Sequence, residues 1–204
     1  MFNTFYPSSL VWPMRMVVFS SSAEAEMEEP VVCDANRVTV DASKCKGSSI
    51  SVAPFVARFA KEVGFHVTVV DPFAQEGTYH ADVVIRGTTF EVEDEVVRGA
   101  YSVVATRHVY DTWAVMKSVF GGAKEVAVVM SVRRAQVILR RLLQAGLTRE
   151  QLARLRLPAG LDLGASNERE IALSIVAEAL AAERGGTGRP LSQLKDIGSV
   201  VGSL

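Results

Sequence analysis

From residue 52 to residue 63 the chain places Val52, Phe55, Val56, Phe59, Ala60 and Val63 at intervals of three and four. That spacing lays one apolar stripe along a helix, and Gly64 ends it. The period then changes. FHVTVVD (65–71) is a β-branched run too continuously apolar for a half-exposed strand, so it predicts a buried parallel strand closing on Asp71 and Pro72. The pattern repeats in ADVVI (81–85), YSVVAT (101–106) and EVAVVMS (125–131), with an amphipathic segment that Asp111 is placed to cap between the last two. SVRRAQVILRRLLQAG follows as a helix, with Ser131 as N-cap and Gly146 as its stop. Asn167 and Glu170 have capping-box spacing, which starts another helix near 168 with a buried stripe of Ile171, Ile175, Val176, Ala179 and Leu180. Short apolar strands alternating with helices predict an α/β fold, a Rossmann-like, doubly wound, mainly parallel sheet.

The ends are less regular. RMVVF and PVVCDANRVTV predict short strands, and RVTV is the candidate for the first parallel strand of the sheet. The expected organisation is a short N-terminal β extension over 1–36, the Rossmann-like domain over 37–184, and a glycine-punctuated C-terminal arm over 185–204 that serves as an arm or oligomer contact. The chain has 204 residues, 49% of them apolar, enough for one sizeable core. Lys and Arg number 22 against 23 Asp and Glu, so no global field recruits nucleic acid or anionic lipid. No apolar run approaches the roughly 20 residues of a membrane span, and the N-terminus lacks the pattern of a leader; the expected location is the cytoplasm. Cys33 and Cys45 make no disulfide framework, and His66, His80 and His108 include no pair at metal-ligand spacing, so no metal site is expected.

Parallel α/β sheets hold ligands outside the carboxyl ends of their strands, which directs attention to the residues following each strand. DASKCKGSSIS (41–51) would be the phosphate loop of a dinucleotide binder, but it is not GxGxxG; Ser48, Ser49, Ser51 and two lysines offer donors near a helix N-terminus, or a polar surface loop. Asp71 stands where a ribose-binding acid belongs, and it is equally a turn former. Thr106, Arg107 and His108 share the rim after the fourth strand, with His108 a candidate for proton transfer or ligand binding and His66 structural. Arg133 and Arg134 oppose the macrodipole in the first turn of their helix, a placement that an anion bound there would reverse in sign, and a solvated basic face is the alternative. In PAGLDLGASN (158–167), Asp162 is expected either to bond its own loop or to face the cleft. Glu170, Ser174 and Glu178 form a polar line beside the apolar stripe, either a solvated face or an interface seam.

PAGLDLGA followed by EIALSIVAEALA resembles the signature that closes the C-terminal Rossmann domain of the xanthine dehydrogenase accessory protein family, XdhC/CoxI. Supporting matches run through RRAQVILRRLLQAGL with its LARL continuation, SVVATRH, and VAPFVARFAKEVGFHVTVVD, so the resemblance covers roughly 52–184. It implies an accessory protein, not an enzyme with catalytic residues of its own, that binds the molybdenum cofactor (molybdopterin), protects it during sulfuration and helps insert it into a xanthine dehydrogenase-type molybdenum hydroxylase. The implied partners are that hydroxylase subunit and a cysteine desulfurase, with a homodimer expected. The cofactor's phosphate would lie near Ser131, Arg133 and Arg134, with Ser48 and Ser49 as further donors, Thr106, His108 and Asp162 at the cleft, and Cys45 either a sulfur-handling thiol or a bystander. The chain departs from the family pattern: SSIS (48–51) replaces a GxGH segment, Met130 and Ser131 replace Gly-Ser before the basic pair, and the family's Thr-His is Thr106 with Arg107, the histidine displaced to 108. Two other functions stay open. One is an NAD(P)-binding oxidoreductase with Asp71 on the ribose; the other is a degenerate assembly or regulatory subunit that binds through the Glu170–Glu178 face and the tail.

Overall fold

The computed structural model describes residues 14–21, 51–106 and 110–194. In chain order the elements are β1 (Arg15–Ser20), α1 (Ala53–Glu62), β2 (His66–Val70), β3 (Val83–Ile85), α2 (Asp94–Val97), β4 (Tyr101–Ala105), α3 (Asp111–Phe120), β5 (Glu125–Val128), α4 (Val132–Gln144), α5 (Arg149–Ala153), β6 (Leu155–Arg156), α6 (Glu168–Arg184) and α7 (Leu191–Leu194). The strands form one sheet in the order β3-β2-β1-β4-β5-β6, and every pair is parallel. This is the doubly wound Rossmann arrangement, whose strand order reverses between β1 and β4.

The period-2 geometry of a strand sends successive side chains to opposite faces, and here each face meets its own helical layer. Met16, Val18, Val67, Val69, Tyr101 and Val103 pack with Ala53, Val56, Ala57 and Ala60 of α1 and with Ala172, Ile175, Val176 and Ala179 of α6. Val17, Phe19, Val104, Val126 and Val128 face Ala114 and Val115 of α3 and Ala135, Ile138 and Leu142 of α4. Burial on both faces is why the central strands read as continuous apolar runs. Of the predicted α1 stripe, Phe55 and Phe59 flank the core half-buried and Val63 is exposed at the helix end. Pro54 sits in the first turn of α1, where its missing N–H costs nothing. Ile171 and Leu180 likewise flank the α6 core, while Asn167 Oδ1 accepts from the amides of Arg169 (3.1 Å) and Glu170 (3.0 Å) and Gly185 closes the helix at φ 68°.

Three expectations are corrected. RMVVF is not part of a peripheral extension: it is β1, the central strand, paired in register with both β2 and β4. The competing candidate RVTV, together with Ser48, Ser49, Cys33, Cys45 and His108, lies outside the described residues. Asp111 does not cap α3; Tyr110 occupies the cap without a side-chain bond, and Asp111 is the first helical residue. The Glu170–Ser174–Glu178 line is not one continuous solvated face: Glu170 is exposed and accepts from Ser166 N and Oγ, whereas Ser174 is buried and Glu178 turns inward against the 158–164 loop. Among the described residues no helix is long and apolar enough to cross a membrane.

Candidate functional site

The carboxyl end of the sheet begins with β1, which finishes in buried Ser20 and is followed by buried Ser21. Tyr79 Oη donates to Asp71 Oδ2 at 2.5 Å and accepts from Ser20 Oγ at 2.8 Å. Asp71 Oδ1 accepts from the Phe73 amide at 2.9 Å. Asp71 is therefore at the end of β2, as the sequence indicates, but fully buried with both carboxylate oxygens engaged. A ribose hydroxyl would have to displace Tyr79 to reach it.

Past β4 and β5 the rim has a different character. Thr106 and Asp111 are buried, with Thr106 Oγ1 donating to Asp111 Oδ1 at 2.5 Å. Asp111 Oδ2 lies 3.8 Å from Arg134 Nε. At that distance the pair is Coulombic and not a hydrogen bond, and Arg134 Nε is buried with no hydrogen-bond partner among the described residues. Burial pulls the Arg134 guanidinium below its ordinary range and Asp111 partly offsets the shift. The side chain retains 24% of its exposure, so a cation with an unsatisfied donor stands at the rim, in the first turn of a 13-residue helix whose dipole also favours an anion. Ser131 caps that helix, its Oγ 3.4 Å from the Arg134 amide.

The structure thus brings together three of the predicted residues, Thr106, Ser131 and Arg134, and adds Asp111. Arg133, immediately before Arg134 in sequence, is exposed. Asp162 is exposed and accepts from the Gly164 amide at 3.3 Å, so its carboxylate serves its own loop. That loop is a structural closure. Leu161 N donates to Ser174 O at 3.2 Å, Gly160 N donates to Glu178 Oε2 at 2.9 Å, and Tyr101 Oη donates to the same oxygen at 3.1 Å. Gly160 has φ 103°, and a Cβ there would collide with Ser174 Oγ; glycine is required by both backbone and space.

Sequence reasoning missed Asp111 as a site residue and Tyr79 as the partner of Asp71. Asp111 had a signal in its position five residues beyond Thr106, but its burial comes from the docking of α3 against α4. Tyr79 lies in an irregular segment with no period to orient it.

The comparisons agree with this architecture. Residues 48–179 match the XdhC Rossmann domain family. An uncharacterized protein of Escherichia coli strain K12, YqeB, is 27% identical over 139 residues, which is 65% of this chain and 26% of that protein. A solved structure of a protein named as a xanthine dehydrogenase from Bacillus halodurans superposes with a TM-score of 0.60 at 19% identity, covering 89% of this chain and 47% of that one; at this identity the likeness is one of fold. The chain spans about a quarter of the first relative and about half of the second. With its matched region taking in every described element from α1 to most of α6, this chain belongs to the XdhC Rossmann-domain family.

Proposed function

We propose that this chain is an accessory protein that binds the molybdenum cofactor for a xanthine dehydrogenase-type molybdenum hydroxylase, with a cysteine desulfurase as the source of sulfur. The observation that carries the proposal is Arg134, a half-buried cation with an unsatisfied Nε, presented with Ser131 at the N-terminus of α4 on the ligand edge of the sheet. Charge-assisted bonds from a guanidinium to a phosphate are roughly twice as strong as neutral ones, and an ester phosphate would satisfy the donor that Asp111 leaves unbonded. The family match and the named relative support the accessory role and the class of partner.

The described residues suit the organic, anionic part of such a cofactor. The protein's part in this reading is to hold the phosphate at Arg134 and the N-terminus of α4. When bound, the cofactor itself supplies the molybdenum and sulfur chemistry. Arg134 holds charge, Ser131 orients the first turn of α4, and Thr106 fixes Asp111, which keeps Arg134 at the rim. The dinucleotide reading is disfavoured by Tyr79 on Asp71.

Native mass spectrometry of protein purified from its own host, with fluorescence of oxidised pterin released on denaturation, tests the proposal. A near-stoichiometric pterin that falls severalfold in Arg134→Ala supports it. A chain that carries no pterin even when co-produced with its hydroxylase sinks it.

A further inference from the structure

One face of the sheet carries a charge pattern that its own helices leave unanswered. There α2, α3 and α4 lie side by side, with α3 in contact with both neighbours. At one flank EVEDEVVR (91–98) sets four acids against one arginine, and Glu91, Glu93, Asp94 and Glu95 are all exposed. At the other flank α4 has four arginines and no acid of its own to offset them, with Arg133, Arg140 and Arg141 exposed. Between the flanks runs α3. Its Asp111, Ala114, Val115 and Ser118 are buried, so helical periodicity turns Trp113, Met116, Lys117 and Phe120 outward. Trp113 is 48% exposed and Phe120 56%, and Phe90, 66% exposed, widens the strip through its ring contact with Trp113 at 5.0 Å.

The flanks are level with each other. Arg134 of α4 meets Asp111 of α3, so the two helices start at the same height. Six residues beyond Asp111, Lys117 meets Asp94 at 2.6 Å, and six residues beyond Arg134 stands Arg140; acid and base therefore flank α3 at one height, about 9 Å from its start. A surface that reads acidic, apolar, basic is complementary to a copy of itself turned over about an axis parallel to α3, because each acidic flank then meets a basic one and the apolar strip meets itself. Turned about the perpendicular axis, the same surface sets acid on acid and arginine on arginine, which like-charge repulsion opposes. The three rings expose roughly 300 Å², a large apolar patch for a lone domain and more than a third of the ~800 Å² per side that a stable contact uses. The flanking helices border the strip on both sides and extend it, and the guanidinium forks on α4 suit paired carboxylates.

We propose that the face formed by α2, α3 and α4 is a two-fold interface between two copies of this chain, with α3 packed along its counterpart and Glu93 and Glu95 of each copy opposite Arg140 and Arg141 of the other. Trp113 and Phe120 then meet their own symmetry mates and leave water. The interface does not depend on what Arg134 binds.

The test is sedimentation equilibrium and native mass spectrometry of the full chain and two charge-reversed variants, Glu93→Lys with Glu95→Lys and Arg140→Glu with Arg141→Glu. The wild-type chain is expected to be a dimer at micromolar concentration. Each variant alone should weaken that dimer at least about tenfold, because both of its flanks then carry one sign. An equimolar mixture of the two should restore wild-type affinity as a heterodimer of one copy of each, since both flank contacts are again of opposite sign. Phe120→Asp should weaken the dimer in every background. Thermal unfolding like that of the wild type qualifies each variant, and the single substitutions Glu95→Lys and Arg140→Glu replace any pair that does not pass. A monomeric wild-type chain, wild-type dimerisation in both variants, or a mixture that stays monomeric overturns the interface. Mixtures that grow past the dimer with concentration would show a head-to-tail contact and overturn the two-fold. Phe120→Asp that spares the dimer but impairs association with the purified hydroxylase subunit would give this face to that subunit, and the proposal would fall.

Discussion

Two carboxylates near the two ends of β4 are treated in opposite ways. Glu178 meets Tyr101, the first residue of the strand, and its Oε2 accepts from Tyr101 Oη and Gly160 N while Oε1 lies 3.6 Å from Arg156 Nη1. Arg156 in turn donates Nε to Glu125 Oε2 at 3.3 Å. Every member of this network has a partner, and burial with the adjacent Glu178 charge raises the Tyr101 phenol well above its ordinary range, so it stays a neutral donor. Asp111 meets Thr106, just past the last residue of β4, and its arginine stands off at 3.8 Å with Nε unbonded. A completed polar network fixes a fold, whereas the Arg134 network leaves one buried donor unpaired, the kind of exception that calls for an explanation.

The contrast can be broken hardest at Glu178. Glu178→Ala would leave the Gly160 amide without its acceptor and weaken the partnering of Tyr101 and Arg156, and urea unfolding should show a loss of about 3 kcal/mol. Gly160→Ala should cost about 2 kcal/mol, because the positive φ disfavours any Cβ and the new atom meets Ser174; adding Ser174→Ala should restore only part, since the backbone strain remains. At the other network, Arg134→Ala should change unfolding free energy by only about 1 kcal/mol, because no hydrogen bond is lost, while affinity for a phosphate ester falls about tenfold. Arg133→Ala should lower that affinity less than about threefold, measured calorimetrically at two salt concentrations. Equal losses for Arg133 and Arg134 would contradict the geometric distinction between them.

The smallest expected effect lies on the surface. The Asp82 carboxyl is held below its ordinary pKa, first by its hydrogen bond with Lys61 Nζ (2.5 Å) and then by the Val67 amide (2.9 Å). A carboxyl lowered in the folded state contributes stability that is fully present above its unfolded pKa, near 3.9, and is lost as pH falls through the folded value. Asp82→Asn should therefore cost a few tenths of a kcal/mol at neutral pH, small because the pair faces solvent, and the two stability curves should converge below pH 4. Curves that stay parallel into acid would assign the difference to packing.

The sequence was most readable where one period ran long enough to orient a whole element. The α4 helix announced its cap and stop and α6 its cap and stripe, and β2, β4 and β5 announced themselves as short, mainly apolar runs. The position of β1 was not readable. RMVVF is as short as RVTV, and the usual brevity of connections between a strand and its helix favoured the candidate nearer Ala53; the real connection runs through residues 21 to 52. The two-residue β6 and the short α2 and α5 have no period to detect.

What the sequence alone determined is the alternation of elements, the capping of its long helices, the family signature at 158–180 and the rim on which candidates had to lie. The tertiary structure decided which candidates keep an open valence. Asp71, Asp162 and Glu178 look as available as Asp111 and Arg134 in a string of letters, because hydrogen-bond satisfaction depends on partners brought from distant segments: Tyr79 to Asp71, Gly160 to Glu178, α4 to α3. Local periodicity carries the hydrophobic effect along the chain, but the pairing of buried polar groups is a long-range property, and it is what separates the closed end of this sheet from the open one.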